Sequence, residues 1–282
     1  MAVIKAVNKG EVHHIKDKLP TDKIKINGLG KQFKTRRNVV TGFQDVNLSI
    51  KDGEFWCFVG PSGCGKTSLL RVLAGLEKPT SGGLEILHSD ATKPLNSMVF
   101  QEHAIFPWMT VRNNIAYGLN MRKVPAHIRD PIVDEYLRKI GMTKFANAYP
   151  HQLSGGMKQR VSIARAFAND PEILFMDEPF AALDEQNRIL LQQELLKIWE
   201  ANRKTVAFIT HSIDEAIFLA DKIMLMTAHP GTVKSIFTVD LPRPRNVESI
   251  RTNPKFHELF TKIWLELKEE VDKVKREEGL EN

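Results

Sequence analysis

Apolar and polar residues alternate along Ile24-Lys-Ile-Asn-Gly and again along Val46-Asn-Leu-Ser-Ile50, where a Lys-Asp-Gly turn follows. Period-two alternation gives a strand one buried and one wet face, so the chain opens with an antiparallel β flank. Phe55-Trp-Cys-Phe-Val59 is apolar throughout and predicts a buried strand, and Ile173-Leu-Phe-Met predicts another. From residue 111 to about 151 the period lengthens to that of helices, with Ile115, Leu119, Ile132, Val133, Tyr136, Leu137 and Ile140 on the apolar positions. Helix and strand then alternate, with helices over 186–202 and 213–220 and strands over 206–210 and 222–226. A last apolar stripe, Phe256, Leu259, Phe260, Ile263, Trp264, Leu267 and Val271, predicts a helix packed on its own domain, with the mainly charged 268–278 as a solvated tail.

Between the first buried strand and a helical stretch over 67–74 lies Gly60-Pro61-Ser62-Gly63-Cys64-Gly65-Lys66-Thr67-Ser68, which fits the phosphate-cradling pattern G-x-x-x-x-G-K-[ST]. Gly75 closes the helix as a C′ residue. Successive backbone N–H groups converge on the β- and γ-phosphates, and the helix N-terminus adds its positive dipole end. Gly60, Gly63 and Gly65 carry no side chain to hold the phosphates away, Lys66 supplies a fixed charge, and the Thr67 hydroxyl is the expected Mg²⁺ ligand. The loop therefore predicts a bound nucleoside triphosphate and leaves open what its hydrolysis drives.

Two further segments bear on the same chemistry. Ile173-Leu-Phe-Met-Asp177-Glu178-Pro179 reads as a buried strand delivering two carboxylates to the carboxyl edge of a sheet, where ligands of parallel α/β sheets sit; the run also fits a turn at a helix start. On the first reading Asp177 holds Mg²⁺ and Glu178 is the general base for the attacking water. Leu153-Ser154-Gly155-Gly156 precedes another helical pattern, with Ser154 an N-cap type and the glycines open to a second backbone. Serine hydroxyl, free N–H groups and a helix dipole make a second phosphate-binding surface. One triphosphate has one γ-phosphate, so two such surfaces in one chain imply two copies with nucleotide between them.

Size and composition set outer limits. The 282 residues allow one large domain or two small ones, and 42% hydrophobic with 26% charged is ordinary soluble material. No apolar stretch approaches the ~18–20 residues of a spanning helix, and the N-terminus lacks the apolar region of a secretion signal. Cys57 and Cys64, one in a predicted strand and one in the loop, cannot form a disulfide framework, which points to a reducing cytoplasm. The net charge of +6 is uneven: residues 1–37 carry ten Lys/Arg against three Asp/Glu. That basic leader reads as a flexible solvated arm, with an anionic membrane face or nucleic acid as the alternative contact.

The ordered set of P-loop, Gln101, Leu153-Ser-Gly-Gly, Asp177-Glu178, Ala182-Leu-Asp184 and His211 resembles the ATP-binding cassette (ABC) ATPases, from about residue 24 to 244. Phe106-Pro-Trp-Met-Thr110, Met157, Pro230-Gly-Thr and Leu241-Pro-Arg-Pro-Arg245 make it similar to the ATPase subunits of nitrate, sulfonate, taurine and bicarbonate importers. The resemblance implies a P-loop NTPase of α/β class, a mainly parallel RecA-like sheet with the antiparallel flank and an inserted helical subdomain over about 102–165. It implies a basic leader over 1–22, an ATPase domain over 23–245, and a C-terminal helix and charged tail over 246–282. By the same resemblance Phe33 stacks on adenine, unless it packs beneath its strand. Gln101 touches Mg²⁺ or the lytic water, His211 bonds the γ-phosphate, and Ser154, Gly155, Gly156 and Asp184 act across to a second protomer. Met157 stands where the superfamily most often has Gln, and Ala181 where Ser is more frequent, which removes one hydroxyl from the dimer seam.

The implied protein is an ATP-hydrolysing, Mg²⁺-dependent importer motor on the cytoplasmic face of the membrane. Its partners are a second ATPase subunit, transmembrane permease subunits and, indirectly, an extracytoplasmic solute-binding protein. The rival reading is a soluble cassette ATPase in DNA maintenance or cofactor assembly. Only 51 residues separate Gln101 from Leu153, without heptads or C-x-x-C, so no nucleic-acid partner is expected. A P-loop small-molecule kinase would need no Leu-Ser-Gly-Gly run. The transported solute is not encoded in this chain.

Overall fold

The computed structural model describes residues 21–34, 38–101 and 104–277. The basic leader lies outside these residues up to position 20. The chain opens with strands β1 (Asp22–Lys34), β2 (Val39–Lys51) and β3 (Phe55–Val59), then helix α1 (Lys66–Leu73) and strand β4 (Ser81–Ile86). Next come β5 (Asn96–Val99), α2 (Val111–Met121), α3 (Ala126–Lys139), α4 (Gly155–Ala168), β6 (Ile173–Asp177) and α5 (Glu185–Ala201). The last part holds β7 (Thr205–Ile209), α6 (Ile213–Leu219), β8 (Lys222–Met226), β9 (Val233–Thr238), α7 (Val247–Arg251) and α8 (Pro254–Glu277). Two compact units result, one within Met1–Ala91 and Thr205–Asn282, the other Thr92–Lys204.

In the first unit β1 pairs antiparallel with β2 on one side and β4 on the other, as the alternating pattern requires. Parallel β3 lies between β7 and β8, and β9 returns antiparallel to β8. All five residues of β3 and of β7 are buried, which explains the unbroken apolar run of β3 and that of residues 206–209 in β7. Helix α1 ends in a Schellman turn: Gly75, at φ 76°, donates to the Val72 carbonyl and Leu76 to that of Arg71, at 3.1 and 2.9 Å.

Helix α6 ends differently, on arginine. Arg245 is buried and its Nη1 donates to the carbonyls of Ile217, Phe218 and Ala220 at 2.7–3.1 Å. Arg243 donates to the Leu219 carbonyl at 2.8 Å and grips Asp221. The orphan carbonyls of the last turn thus meet two guanidinium groups, a favourable charge for a helix C-terminus.

The C-terminal helix departs from the expected pattern in two places. Trp264, on the predicted apolar stripe, is 50% exposed, while the core side of α8 uses Phe256 and Ile263. The helix also runs on through the charged stretch to Glu277, and Glu270, expected in a solvated tail, is buried. An acidic side chain turns inward there because β9 and α8 supply Lys234 and Lys273 as partners.

The second unit pairs β5 and β6 in parallel and packs α2 against α3 and α4. Asn114 sits on the buried face of α2 and is fully enclosed. It accepts the Phe106 N–H at 2.7 Å and donates to the carbonyls of Phe106, Met109 and Thr110 at 3.1–3.2 Å, which fixes the preceding loop. The ends of α5, α6, β7 and β8 fall within about one residue of the periodicity-based positions, α5 beginning at Glu185 and β7 at Thr205, whereas β1 and β2 extend well beyond the alternating runs at 24–28 and 46–50.

Arg245→Met keeps the stem and removes the donors, costing about 1 kcal/mol for each of the three carbonyls it served at the end of α6. The expected outcome is a thermal midpoint lower by about 6–12 °C, for a total cost of about 3 kcal/mol, read by scanning calorimetry.

Candidate active site

The P-loop of the first unit is shaped by what its glycines lack. Gly65 is the N-cap of α1 at φ 96°, and a Cβ there would lie 2.3 Å from the Gly42 carbonyl oxygen. Gly63, at φ 76°, meets nothing within 4 Å, so its requirement is the left-handed backbone alone. Gly60 has Met226 and Cys64 against it, a Cβ falling 3.0 Å from Cys64 Sγ. Lys66 is buried and folds back across the loop, donating to the carbonyls of Gly60 and Pro61 at 2.9 and 2.8 Å. Its Nζ stands 3.7 Å from Cys64 Sγ. Burial raises the Cys64 thiol above its ordinary pKa and the Lys66 ammonium opposes that shift, so the thiol stays neutral. Ser62 is exposed beside Pro61, and Thr67 and Ser68 stand half-buried in the first turn of α1, where N–H groups leave the helix end.

Phe33 lies opposite Val40 near the far end of the β1–β2 pair. Its half-buried ring covers Gly42, where a Cβ would come 3.0 Å from it, and the Lys31 ammonium lies 5.0 Å from its centroid. His211 follows β7 and is exposed, in a short span fixed by the Ser212 N–H on Thr210 Oγ1 (2.9 Å) and by Ser212 capping α6.

In the second unit the buried strand β6 ends on Asp177, itself buried. Glu178 follows with φ 45°, a left-handed conformation uncommon outside glycine. Backbone of this kind concentrates at active sites and costs of order 1–3 kcal/mol. Gln101 Nε2 donates to Glu178 Oε2 at 3.3 Å, so two of the three residues assigned to catalysis meet directly. Ser154 caps α4, accepting the Met157 N–H at 3.3 Å, and Ser154 and Gly155 are exposed. Gly156 is open too, with only Leu183 and Asn187 near 3.8–3.9 Å of a notional Cβ. Asp184 caps α5 through the Asn187 N–H at 3.0 Å and takes the Asn187 side chain at 2.7 Å, bonds that lower its pKa.

Asp177 and Gln101 in the second unit offer a carboxylate and an amide oxygen, and Thr67 in the first unit separately offers a hydroxyl; each is a hard donor of the kind that suits Mg²⁺. Gln101 spends its amide nitrogen on Glu178, which leaves that oxygen for a cation. Among the described residues no group of three or more His, Cys, Asp and Glu could hold a metal ion.

The profile of the family described as ABC transporter matches residues 43–181, which run from β2 through the P-loop to Glu178 and beyond. An uncharacterized ABC transporter ATP-binding protein of Methanocaldococcus jannaschii is 47% identical over 254 residues, 88% of this chain and 92% of that protein. The chain belongs to the ABC transporter ATPases. The nitrate import ATP-binding protein NrtD of Synechococcus elongatus is 43% identical, covering 83% of this chain and 87% of its own. The aliphatic sulfonates import ATP-binding protein SsuB of Bacillus thuringiensis subsp. konkukian is 40% identical, covering 85% and 94%. Among solved structures, a dimeric post-hydrolysis ATP-binding cassette with ADP and Pi superposes with TM-score 0.68 at 32% identity, covering 78% of this chain and all of that one. This ABC protein is thus an ATPase of transport with the α/β fold of a P-loop NTPase.

Three features of the ABC chain escape sequence reading: Asn114, Gly42, and Arg165, whose guanidinium lies 5.2 Å from the Phe106 ring centroid. Asn114 alone left a signal, a polar residue beside Ile115 on an apolar helix face.

Gly65→Ala should cut affinity for a fluorescent ATP analogue by more than about tenfold, because the left-handed cost and the collision with Gly42 fall on the loop itself. Equilibrium titration of the folded variant checks this.

Proposed function

We propose that two copies of this chain close on two ATP molecules to power an importer for a small anion or organic solute of the nitrate, sulfonate, taurine or bicarbonate type. The observation that carries this reading is that one chain holds two unlike surfaces of a kind that suits phosphate, the P-loop and the Ser154-Gly155-Gly156 start of α4, where Ser154 and Gly155 are exposed. They serve one γ-phosphate when each comes from a different copy. The solved cassette that this chain resembles is itself a dimer, and relatives carry nitrate and sulfonate import in their names.

In the proposed cycle Phe33 stacks on adenine, while Lys66 and the loop from Gly60 to Ser68, through the N–H groups of its residues other than Pro61, hold the β- and γ-phosphates. Ser154, Gly155 and Gly156 of the other copy close on the γ-phosphate, and Asp184 lines the same seam. Thr67, Asp177 and Gln101 hold Mg²⁺, which when bound offsets phosphate charge. Glu178 takes a proton from water as its oxygen attacks the γ-phosphorus, and the bond to the ADP oxygen breaks. His211 holds water and γ-phosphate in line. Movement of Gln101 away from Glu178 frees the carboxylate for that water.

Trp108 is 68% exposed next to Phe106, which is held by Tyr117 and Arg165 at 4.5 and 5.2 Å. In this reading Phe106 is the anchor and Trp108 the apolar surface offered to a cytoplasmic helix of the permease. Positions 102 and 103, which precede this loop, lie outside the described residues. The chain then works peripherally at the cytoplasmic membrane face, with an extracytoplasmic solute-binding protein upstream. No described helix is long and apolar enough to cross a membrane.

Glu178→Gln should bind ATP as the wild type does, lose turnover by about 10²-fold or more, and run as an ATP-dependent dimer in size-exclusion chromatography. Fast hydrolysis by that variant, or a monomer with ATP and permease both supplied, overturns the reading.

A further inference from the structure

The turn between β8 and β9 takes no part in the chemistry above, yet it touches the phosphate-binding loop. A Cβ on Gly231 would stand 1.9 Å from the Cys64 carbonyl oxygen, so the Gly231 α-carbon rests directly against the P-loop backbone. The Gly231 carbonyl also accepts the Gln44 N–H at 2.9 Å, tying the turn to β2. Thr227 shapes the turn from within: its hydroxyl accepts the Thr232 N–H at 3.0 Å and donates to the Ala228 carbonyl at 3.1 Å.

Behind this turn stands α8. Glu270, 1% exposed, accepts the Ala228 N–H on Oε2 at 3.0 Å and the Lys234 and Lys273 ammonium groups on Oε1 at 2.8 and 2.7 Å. Lys234 in turn reaches Glu269 and the Glu266 carbonyl. Burial works to raise the Glu270 pKa, and the two ammonium groups and the amide overcome it, holding the carboxyl at about 2. The group is therefore an ion throughout the physiological range, and both its oxygens are committed. Without it the Ala228 N–H loses its carboxylate, and the turn is no longer tied to α8 at that point.

We propose that Glu270 is a positioning residue for nucleotide binding: it fastens the turn over 227–232 to α8, and Gly231 in that turn sets the Cys64 carbonyl and with it the curvature of the P-loop. The C-terminal helix then acts as a backstop to the phosphate site, and a partner that draws α8 outward loosens the grip on ATP. This inference rests on the P-loop being the nucleotide site.

The test compares Glu270→Ala and Glu270→Gln, both of which lose the lysine pairing, while only Gln retains an oxygen for the Ala228 N–H. Binding of a fluorescent ATP analogue to the full chain should weaken about fivefold in the Ala variant, the worth of one hydrogen bond, and less than about twofold in the Gln variant. A purely stabilising role would lower the melting temperature of both and leave affinity alone. Thr227→Val, which loosens the turn without disturbing the buried ion, should weaken binding about threefold and covers the case of a misfolded Ala variant. Gly231→Ala combined with Glu270→Ala should cost less than the sum of the two single changes, since both act on one contact. Wild-type affinity in the folded Ala variant, or in Thr227→Val, overturns the backstop. No binding by the wild type would instead remove the nucleotide reading, and the inference with it.

Discussion

The phosphate-binding end of this protein depends on backbones approaching closer than any side chain allows. Gly65 presses on the Gly42 carbonyl, and Gly231 presses on that of Cys64. The loop is therefore pressed by β2 and by the β8–β9 turn, themselves joined through Gln44 and Gly231, and its shape is imposed from outside as much as by its own sequence. A loop that must meet phosphate oxygens with several N–H groups at once gains most from such contacts, because preset donors lose little freedom on binding. Lys66 joins the same frame through the carbonyls of Gly60 and Pro61.

A comparable constraint operates at the end of β6. The strand is buried along its whole length, and the backbone turns through the left-handed region at Glu178 as it leaves. Sequence neighbours thus face different surroundings: Asp177 is buried and Glu178 is half-buried within reach of Gln101. Two adjacent carboxylates can hold separate roles only when their environments differ in this way.

Much of the architecture was legible because it follows from local chemistry. Unbroken apolar runs mark β3 and β6, alternation marks β1 and β2, and Ser154 and Gly75 take the cap positions their residue types favour. The motif order likewise brought out the nucleotide chemistry. What stayed hidden depends on contacts between distant segments. Pro230-Gly-Thr and Leu241-Pro-Arg-Pro-Arg245 were recognisable only as family marks, yet Gly231 abuts the P-loop and Arg243 and Arg245 close α6. Glu270 looked like one more tail charge, since nothing local announces that Lys234, far away in sequence, will meet it. Trp264 satisfied the helical period and still faces outward, because periodicity gives a stripe and not its width.

Asn114 carries a consequence for mechanics. By saturating one short span, Phe106 through Thr110, with side-chain bonds to its backbone, it removes slack from the stretch that presents Trp108. A handle without slack passes on a displacement of its own unit instead of absorbing it by bending. Stiffness at this one asparagine thus ties the placement of the indole to that of α2.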